Sequence, residues 1–140
     1  MSRVQLAINV RDIDQAVGFY SKLFKTEPAK VRPDYANFAI ADPPLKLVLL
    51  RNEQGGTLNH LGVEVASVGE VRNATAFLTD QGLSTTTEQG ACCYAEQDKV
   101  WVSDPDGAPW EVYTVLGDAD APLAACDDPA CASRCGPGCC

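Results

Sequence analysis

The sequence has a single histidine, His60, and few cations, since 11 lysines and arginines stand against 19 aspartates and glutamates. The resulting net charge of -8 argues against nucleic acids and anionic membranes as partners, because both require basic surface. No apolar run approaches the roughly 20 residues that cross a bilayer, and no secretion leader follows Met1. We therefore expect a globular, cytoplasmic protein that binds neither nucleic acid nor membrane.

Cysteine is absent from the first 91 residues and crowded after them. Cys92 and Cys93 are adjacent, and the other five are Cys126, Cys131, Cys135, Cys139 and Cys140. A secreted disulfide scaffold spreads an even number of cysteines through its fold, so this odd and lopsided set of seven argues against that class. In a reducing compartment the seven are thiols that can bind soft metals or metalloids.

The chain contains two copies of one small module. The alternating segment 4–10 recurs as 59–65, and the same displacement carries Gln5 onto His60 and the helix cap Asp12 onto Ser67. Each module is predicted to be βαβββ, with strands near 4–10, 28–32, 35–41, 45–51, 59–65, 83–88, 92–103 and 109–116. The sequence therefore predicts an α+β fold in which two modules, about 1–56 and 57–116, form one domain.

The composition changes after about residue 116. Residues 117–140 are rich in alanine, aspartate, proline, glycine and cysteine and nearly empty of large apolar side chains. Such a segment cannot bury enough surface to fold alone, so we expect a flexible, cysteine-rich tail. Its cysteine spacing does not match a structural zinc site. The tail either captures soft metals or metalloids or has no part in the chemistry.

Strand alternation gathers polar residues of three strands on one face. His60 and Gln5 take equivalent places in their modules, and Glu111 faces the same way from the last strand. An imidazole, a carboxamide and a carboxylate suit a divalent metal with open positions. Aligning the last strands of the modules puts Lys46 opposite Glu111, and a protonated lysine cannot be a fourth ligand. The alternative is that Gln5 and His60 are ordinary structural residues.

Cys92 and Cys93 form a second candidate site. Adjacent cysteines rarely bridge each other, because their Cα atoms are closer than the usual disulfide spacing. Both thiolates can instead hold one soft, trivalent centre. The alternative is a pair of small apolar side chains packed before a core strand.

These features carry a resemblance to a known family. The chain resembles the vicinal oxygen chelate superfamily, which includes glyoxalases and extradiol dioxygenases, and within it the ArsI carbon–arsenic lyases and the cadmium-induced CadI proteins. The matching strings are residues 4–6, 35–49, 56–65, 92–93, 97–102 and 110–113. The resemblance covers about residues 1–116 and implies one domain with a cup-shaped mixed sheet.

The resemblance also implies a chemistry for the two candidate sites. Fe(II) would be held by Gln5, His60 and Glu111, and a trivalent organoarsenical by Cys92 and Cys93. Oxygen would be directed at the carbon–arsenic bond, so that methylarsenite gives arsenite and formaldehyde; trivalent aromatic arsenicals are further candidate substrates. Thiolates bind As(III) and not As(V), and Ni or Co would bind the three-ligand site at least as tightly as Fe(II). We expect the loop 90–94 to move captured arsenic toward the iron.

Two other functions stay open from the sequence. One is a soft-metal binding resistance protein of the cadmium-induced type, without turnover. The other is a different vicinal oxygen chelate dioxygenase or binding protein, although such chemistry needs no dithiol. Both modules lie in one chain, so the site does not require a partner subunit, and the sequence leaves monomer and homodimer open.

Overall fold

The computed structural model describes residues 2–92 and 94–118. Two helices and eight strands lie in this part of the chain. They are β1 (Arg3–Val10), α1 (Ile13–Phe24), β2 (Lys30–Arg32), β3 (Tyr35–Ile40), β4 (Leu45–Arg51), β5 (Leu58–Glu64), α2 (Val68–Asp80), β6 (Thr86–Cys92), β7 (Ala95–Ser103) and β8 (Pro109–Asp118). Neither helix has the length and apolar character needed to cross a membrane. The order is βαβββ twice, which confirms the predicted α+β organisation.

The caps that were predicted for both helices are formed. Asp12 Oδ1 accepts a hydrogen bond from the backbone N–H of Gln15 at 2.8 Å, and Ser67 Oγ accepts one from Glu70 at 3.3 Å. At the end of α2, Gly82 has a φ of +82°, a conformation that glycine adopts without strain. The helix boundaries are therefore encoded locally in each module.

The second module differs from the prediction in its later strands. The backbone N–H of Leu83 donates to the carbonyl of Leu78 at 3.1 Å, so Leu83 closes the helix and does not begin a strand. The strand β6 starts at Thr86 and ends at Cys92, which was expected to open the following strand. The strand β8 continues to Asp118, two residues past the predicted domain boundary. The predicted tail beyond residue 118, with its five cysteines, lies outside the described residues.

The eight described strands form one mixed sheet in the order β2-β3-β4-β1-β5-β8-β7-β6. The central strands β1 and β5 are antiparallel, with Gln5 opposite Gly62 and Ala7 opposite His60. The outer neighbours repeat this symmetry, since β4 runs parallel to β1 and β8 runs parallel to β5. The two modules are thus related by an approximate twofold axis between the central strands.

The helices cover one face of the sheet. A buried cluster on this face joins α1 to β3 and β4; its members are Ile13, Ala36, Phe38, Ile40, Leu47 and Leu49. Leu23 of α1 and Phe77 of α2 do not join this core, since 55% and 63% of their surfaces are exposed. The inward stripe of α1 is filled by its neighbours Tyr20 and Phe24, so Leu23 is turned outward.

The opposite face of the sheet is concave, and its two ends approach each other. Lys30 of β2 donates to the carbonyl of Tyr94 at 2.8 Å and pairs with Asp118 of β8 at 2.6 Å. These contacts link one end of the first module to the last strands of the second. They close the concave face into the cup that holds the candidate site.

Candidate metal and substrate site

Three polar side chains meet at the centre of the concave face. Gln5 Nε2 lies 3.1 Å from His60 Nε2 and 2.7 Å from Glu111 Oε1, and the latter two atoms are 3.3 Å apart. The exposed fractions of Gln5, His60 and Glu111 are 4%, 0% and 2%. The structure therefore brings together the three residues that the sequence selected as candidate metal ligands.

Strand pairing explains why these side chains converge. Gln5 is opposite Gly62 across the central pair, and Gly62 is opposite Glu111 across β5 and β8. A Cβ atom on Gly62 would lie 2.9 Å from Glu111 Cγ and 3.2 Å from Gln5 Nε2. The glycine leaves the space in which the amide and carboxylate approach each other.

A chain of amides orients His60. His60 Nδ1 lies 2.6 Å from Asn59 Oδ1, and Asn59 Nδ2 donates to Asn9 Oδ1 at 3.0 Å. Because an amide oxygen can only accept, Nδ1 carries the ring proton and Nε2 keeps its lone pair. The edge of the imidazole also packs against Trp101, with ring centroids 5.3 Å apart.

Lys99 is a member of the site that the sequence reasoning missed. Its Nζ lies 2.9 Å from Glu111 Oε2, and both side chains are 2% exposed. Burial by itself raises the pKa of Glu111, but the neighbouring Lys99 ammonium outweighs it and holds that pKa well below its usual range. Glu111 is therefore an ionised carboxylate. The sequence feature that could have identified Lys99 is its position directly before the apolar residues 100–102 of a core strand.

The residue of the first module that is equivalent to Glu111 is a valine, Val48. Gly62 pairs with Glu111, and Ala7, the counterpart of Gly62 in the first module, pairs with Val48. The predicted equivalence of Lys46 and Glu111 is therefore wrong by two residues, because strand register cannot be read from sequence similarity alone. Val48 is buried and carries no atom that can bind a metal, so this position of the repeat supplies no fourth ligand.

A cavity of about 260 Å³ opens beside Gln5 and Glu111. Tyr113, two residues after Glu111, lines it and is 1% exposed; its hydroxyl has no hydrogen-bond partner among the described residues. Burial raises the pKa of Tyr113, so the phenol keeps its proton. Lys46 lines the same cavity, and burial lowers the pKa of its ammonium.

The first residue of the predicted dithiol, Cys92, lies at the end of a strand beside this cavity. Cys92 ends β6 and pairs with Ala95 of β7, which lines the cavity. Cys93 and the side chain of Cys92 are outside the described part of the structure. Tyr94, with a φ of +61°, follows the pair and anchors the turn to the first module, since its hydroxyl donates to Asp34 Oδ1 at 2.7 Å. Its ring also packs against Tyr35, with centroids 5.8 Å apart.

Comparisons with known proteins show the family of the chain. A sequence model of the Glyoxalase/Bleomycin resistance protein/Dioxygenase superfamily matches residues 3–112. The trivalent organoarsenical cleaving enzyme of Thermomonospora curvata is 60% identical over 134 residues, which cover 94% of this chain and 88% of the relative. The cadmium-induced protein CadI of Mycobacterium tuberculosis is 64% identical over 122 residues, which cover 86% and 80% of the two chains.

Solved structures share the fold at low sequence identity. The Mn(II)-bound glyoxalase from Novosphingobium aromaticivorans superposes with a TM-score of 0.60 at 19% identity, over 86% of this chain and 43% of that one. The homoprotocatechuate 2,3-dioxygenase from Arthrobacter globiformis gives 0.59 at 21% identity, over 83% and 36%. The chain therefore belongs to the glyoxalase, bleomycin resistance protein and dioxygenase superfamily, in the group that contains the trivalent organoarsenical cleaving enzymes and the CadI proteins.

Proposed function

We propose that the protein is an Fe(II)-dependent dioxygenase that cleaves the carbon–arsenic bond of trivalent organoarsenicals and releases arsenite. The name of the Thermomonospora curvata relative suggests the reaction. The structural observation that carries the proposal is the convergence of the His60 Nε2 and Glu111 Oε1 lone pairs on one point beside a cavity.

The residues at this point fit a divalent metal. The Gln5 amide group now fills the point, with one N–H directed at His60 and the other at Glu111. Rotating the amide by half a turn about its last torsion presents Oε1 as a third donor. In the described part of the chain no three residues of the types His, Cys, Asp and Glu are grouped for a metal, so a metal here requires Gln5. The donor set suits Fe(II), with Ni or Co as substitutes in preparations.

Each surrounding residue has a defined task in this proposal. Bound Fe(II) supplies the redox chemistry through which O2 reacts with an organic group. Asn59 fixes the His60 tautomer, and Lys99 keeps Glu111 ionised before metal enters. Val48 leaves the remaining side without a competing ligand.

Cys92 and Cys93 hold the arsenic in the proposed reaction. Soft thiolates select As(III), and a fixed arsenical meets the metal site without a further encounter step. The reaction balances without another reductant: methylarsenite, CH3As(OH)2, and O2 give As(OH)3 and formaldehyde. The carbon–arsenic bond breaks, the methyl carbon is oxidised, and both oxygen atoms of O2 appear in the products.

Anaerobic reconstitution with Fe(II), followed by methylarsenite and O2, tests the proposal. We expect arsenite and formaldehyde in equal amounts from the wild type and none from His60→Ala, Glu111→Ala or Cys92→Ser. Gln15→Ala, at an exposed position of α1, is a control that should keep full activity. Arsenical binding without arsenite release or oxygen uptake contradicts the proposal.

A second candidate function is soft-metal binding without turnover, which the identity to CadI favours. Cd(II) held by thiols with no oxygen consumption in the same experiment would support it. A third candidate is another dioxygenase of the superfamily, which would turn over a substrate that needs no thiol.

We also propose the organisation in which this chemistry takes place. Residues 1–116 would form the catalytic domain and 117–140 a tail whose cysteines capture arsenicals or soft metals for it. The cytoplasm suits the proposal, because thiols stay reduced there. The donor set lies within one chain, so a monomer can be active; a homodimer is the alternative.

A further inference from the structure

One cation at the cavity, Lys46, forms no direct ion pair with a described carboxylate. The other cations that line the cavity or lie near it form ion pairs, which are Lys30–Asp118 (2.6 Å), Lys99–Glu111 (2.9 Å) and Arg3–Glu64 (2.6 Å). Among the described residues, Lys46 Nζ has no ion pair and no hydrogen bond, and its contact is the ring of Tyr113, 5.9 Å away at the centroid. Glu64 and Glu111 act on this ammonium only from beyond ion-pair distance, so its direct hydrogen-bonding positions are open to an anionic ligand that enters the cavity.

The hydroxyl of Tyr113 is a second donor without an acceptor. It is buried, it lines the same cavity as Lys46, and no described residue accepts its hydrogen bond. Buried hydroxyls are almost always hydrogen-bonded, so an orphaned one points to a missing partner. The cavity thus presents two donors, one charged and one neutral, and each lacks an acceptor.

The size of the cavity indicates a ligand larger than a methyl arsenical. A protein cavity of about 150 Å³ accommodates benzene, and this one measures about 260 Å³. An aromatic ring together with a small substituent fits that volume. The substituent can then reach donors that a methyl group cannot.

We propose that Lys46 and Tyr113 form an anion-recognising end of the substrate cavity, which selects aromatic trivalent arsenicals that carry an acidic ring substituent such as a carboxylate. The inference rests on the proposed function for the other end of the substrate, where arsenic is bound. Lys46 is a specificity-determining residue in this account, since it contacts the substituent and not the reacting atoms. The ammonium and the phenol each donate a hydrogen bond to the carboxylate.

Binding by the full-length, Fe(II)-loaded protein under anaerobic conditions tests the inference without turnover. The probes are 4-carboxyphenylarsenite and phenylarsenite, which differ only in the carboxylate, and their dissociation constants are measured by tryptophan fluorescence or calorimetry. We expect the wild type to prefer the carboxylate probe by roughly tenfold or more, the usual effect of a charge-assisted hydrogen bond.

Substitutions then assign the preference to its residues. Lys46→Met should bring the ratio of dissociation constants close to one, Tyr113→Phe should reduce it partly, and Lys46→Arg should retain it. Lys22→Met, at a lysine on the solvent side of α1, is the matched control and should leave the ratio unchanged. Circular dichroism confirms that each variant is folded before its ratio is used.

The outcomes separate this inference from the proposed function. A wild-type ratio near one, or a ratio that Lys46→Met leaves unchanged, overturns the anion-recognising end. Admission of O2 is a separate step: if the preference holds but no arsenite is released, the proposed function fails and the recognition stands. If arsenite is released from both probes with equal kcat/KM, recognition alone fails.

Discussion

Gln5 Nε2 and His60 Nε2 lie 3.1 Å apart, although 55 positions separate the residues in the chain. They meet because they occupy the same place in two modules whose first strands pair about a twofold axis. Two equivalent residues that lie close to such an axis face each other across it. The tandem repeat therefore builds the centre of the site, and Glu111 makes it asymmetric.

The first prediction concerns the metal. Gln5→Leu removes the third donor and leaves an apolar side chain that is one atom shorter, so we expect the affinity for Ni(II) or Co(II) to fall by roughly tenfold or more. The visible spectrum of bound Co(II), titrated into the metal-free protein, measures it. Gln15→Leu, on the surface of α1, is the control. Unchanged Co(II) affinity in Gln5→Leu would show that the amide is not a ligand.

The second prediction concerns the orientation of His60. Asn59→Ala removes the acceptor at 2.6 Å from Nδ1, so the imidazole can turn or change tautomer. Loss of such a partner weakens metal binding by about 10- to 100-fold. Asn73→Ala, at an exposed position of α2, should bind metal as the wild type does. Equal Co(II) affinity in both variants would contradict the orienting role.

The candidate site shows what the sequence can and cannot supply. The repeat and the strand alternation select Gln5, His60 and Glu111 from local patterns alone. The pairing of Val48 in place of Lys46 depends on the register between strands distant in the chain, which no local pattern encodes. The ion pair of Lys99 likewise appears only once β7 lies beside β8, since 12 positions separate it from Glu111.

The third prediction concerns the buried charge pair. Lys99→Met leaves the Glu111 carboxylate without its counter-ion, which costs about 3–5 kcal/mol in free energy of unfolding. A bound metal supplies positive charge to the same carboxylate, so Ni(II) should restore part of the lost stability. Thermal unfolding with and without Ni(II) measures both effects, with Lys22→Met as the control. A variant as stable as the wild type without metal would show that the pair is energetically neutral.

The pH dependence of this variant has a definite sign. The pKa of Glu111 is lowered in the folded wild type, so its contribution to stability is present above the unfolded value of about 4.5 and is lost as the pH falls through the folded pKa. In Lys99→Met burial raises that pKa, and acidification relieves the unpaired charge. The stability difference between the two proteins should therefore be largest at pH values above the raised pKa of the variant. It should shrink as the pH falls through that pKa towards about 4.5, because the variant recovers stability, and shrink further below about 4.5, because the wild type loses it. A constant difference would contradict this.

The fourth prediction concerns the hairpin that carries Cys92. Tyr94→Phe removes the 2.7 Å hydrogen bond to Asp34, which contributes about 1 kcal/mol, so amide exchange near residues 90–96 should accelerate by roughly fivefold. Tyr20→Phe is the control, because no described residue bonds its hydroxyl. Hydrogen exchange with mass spectrometry resolves the segment. Equal protection in Tyr94→Phe and the wild type would show that Asp34 does not anchor the turn.

The fifth prediction concerns the space between the ligands. Gly62→Ala places a Cβ 2.9 Å from both Glu111 Cγ and the Glu111 carbonyl oxygen, a contact that real Cβ atoms do not make. Because the backbone carbonyl cannot move away as a side chain can, we expect a loss of about 1–3 kcal/mol in free energy of unfolding. The displaced carboxylate should also weaken Co(II) binding.

Gly69→Ala in α2 is the matched substitution, since its nearest neighbour is Ser67 Oγ at 3.7 Å. Gly69 lies in the first turn of α2, so its replacement by alanine gains less than the roughly 1 kcal/mol of a helix interior, and the two variants should still change stability in opposite directions. Urea unfolding gives both values, and Co(II) titration shows whether only Gly62→Ala loses metal. If Gly62→Ala keeps both its stability and its Co(II) affinity, the approach of Gln5 and Glu111 does not depend on the missing side chain.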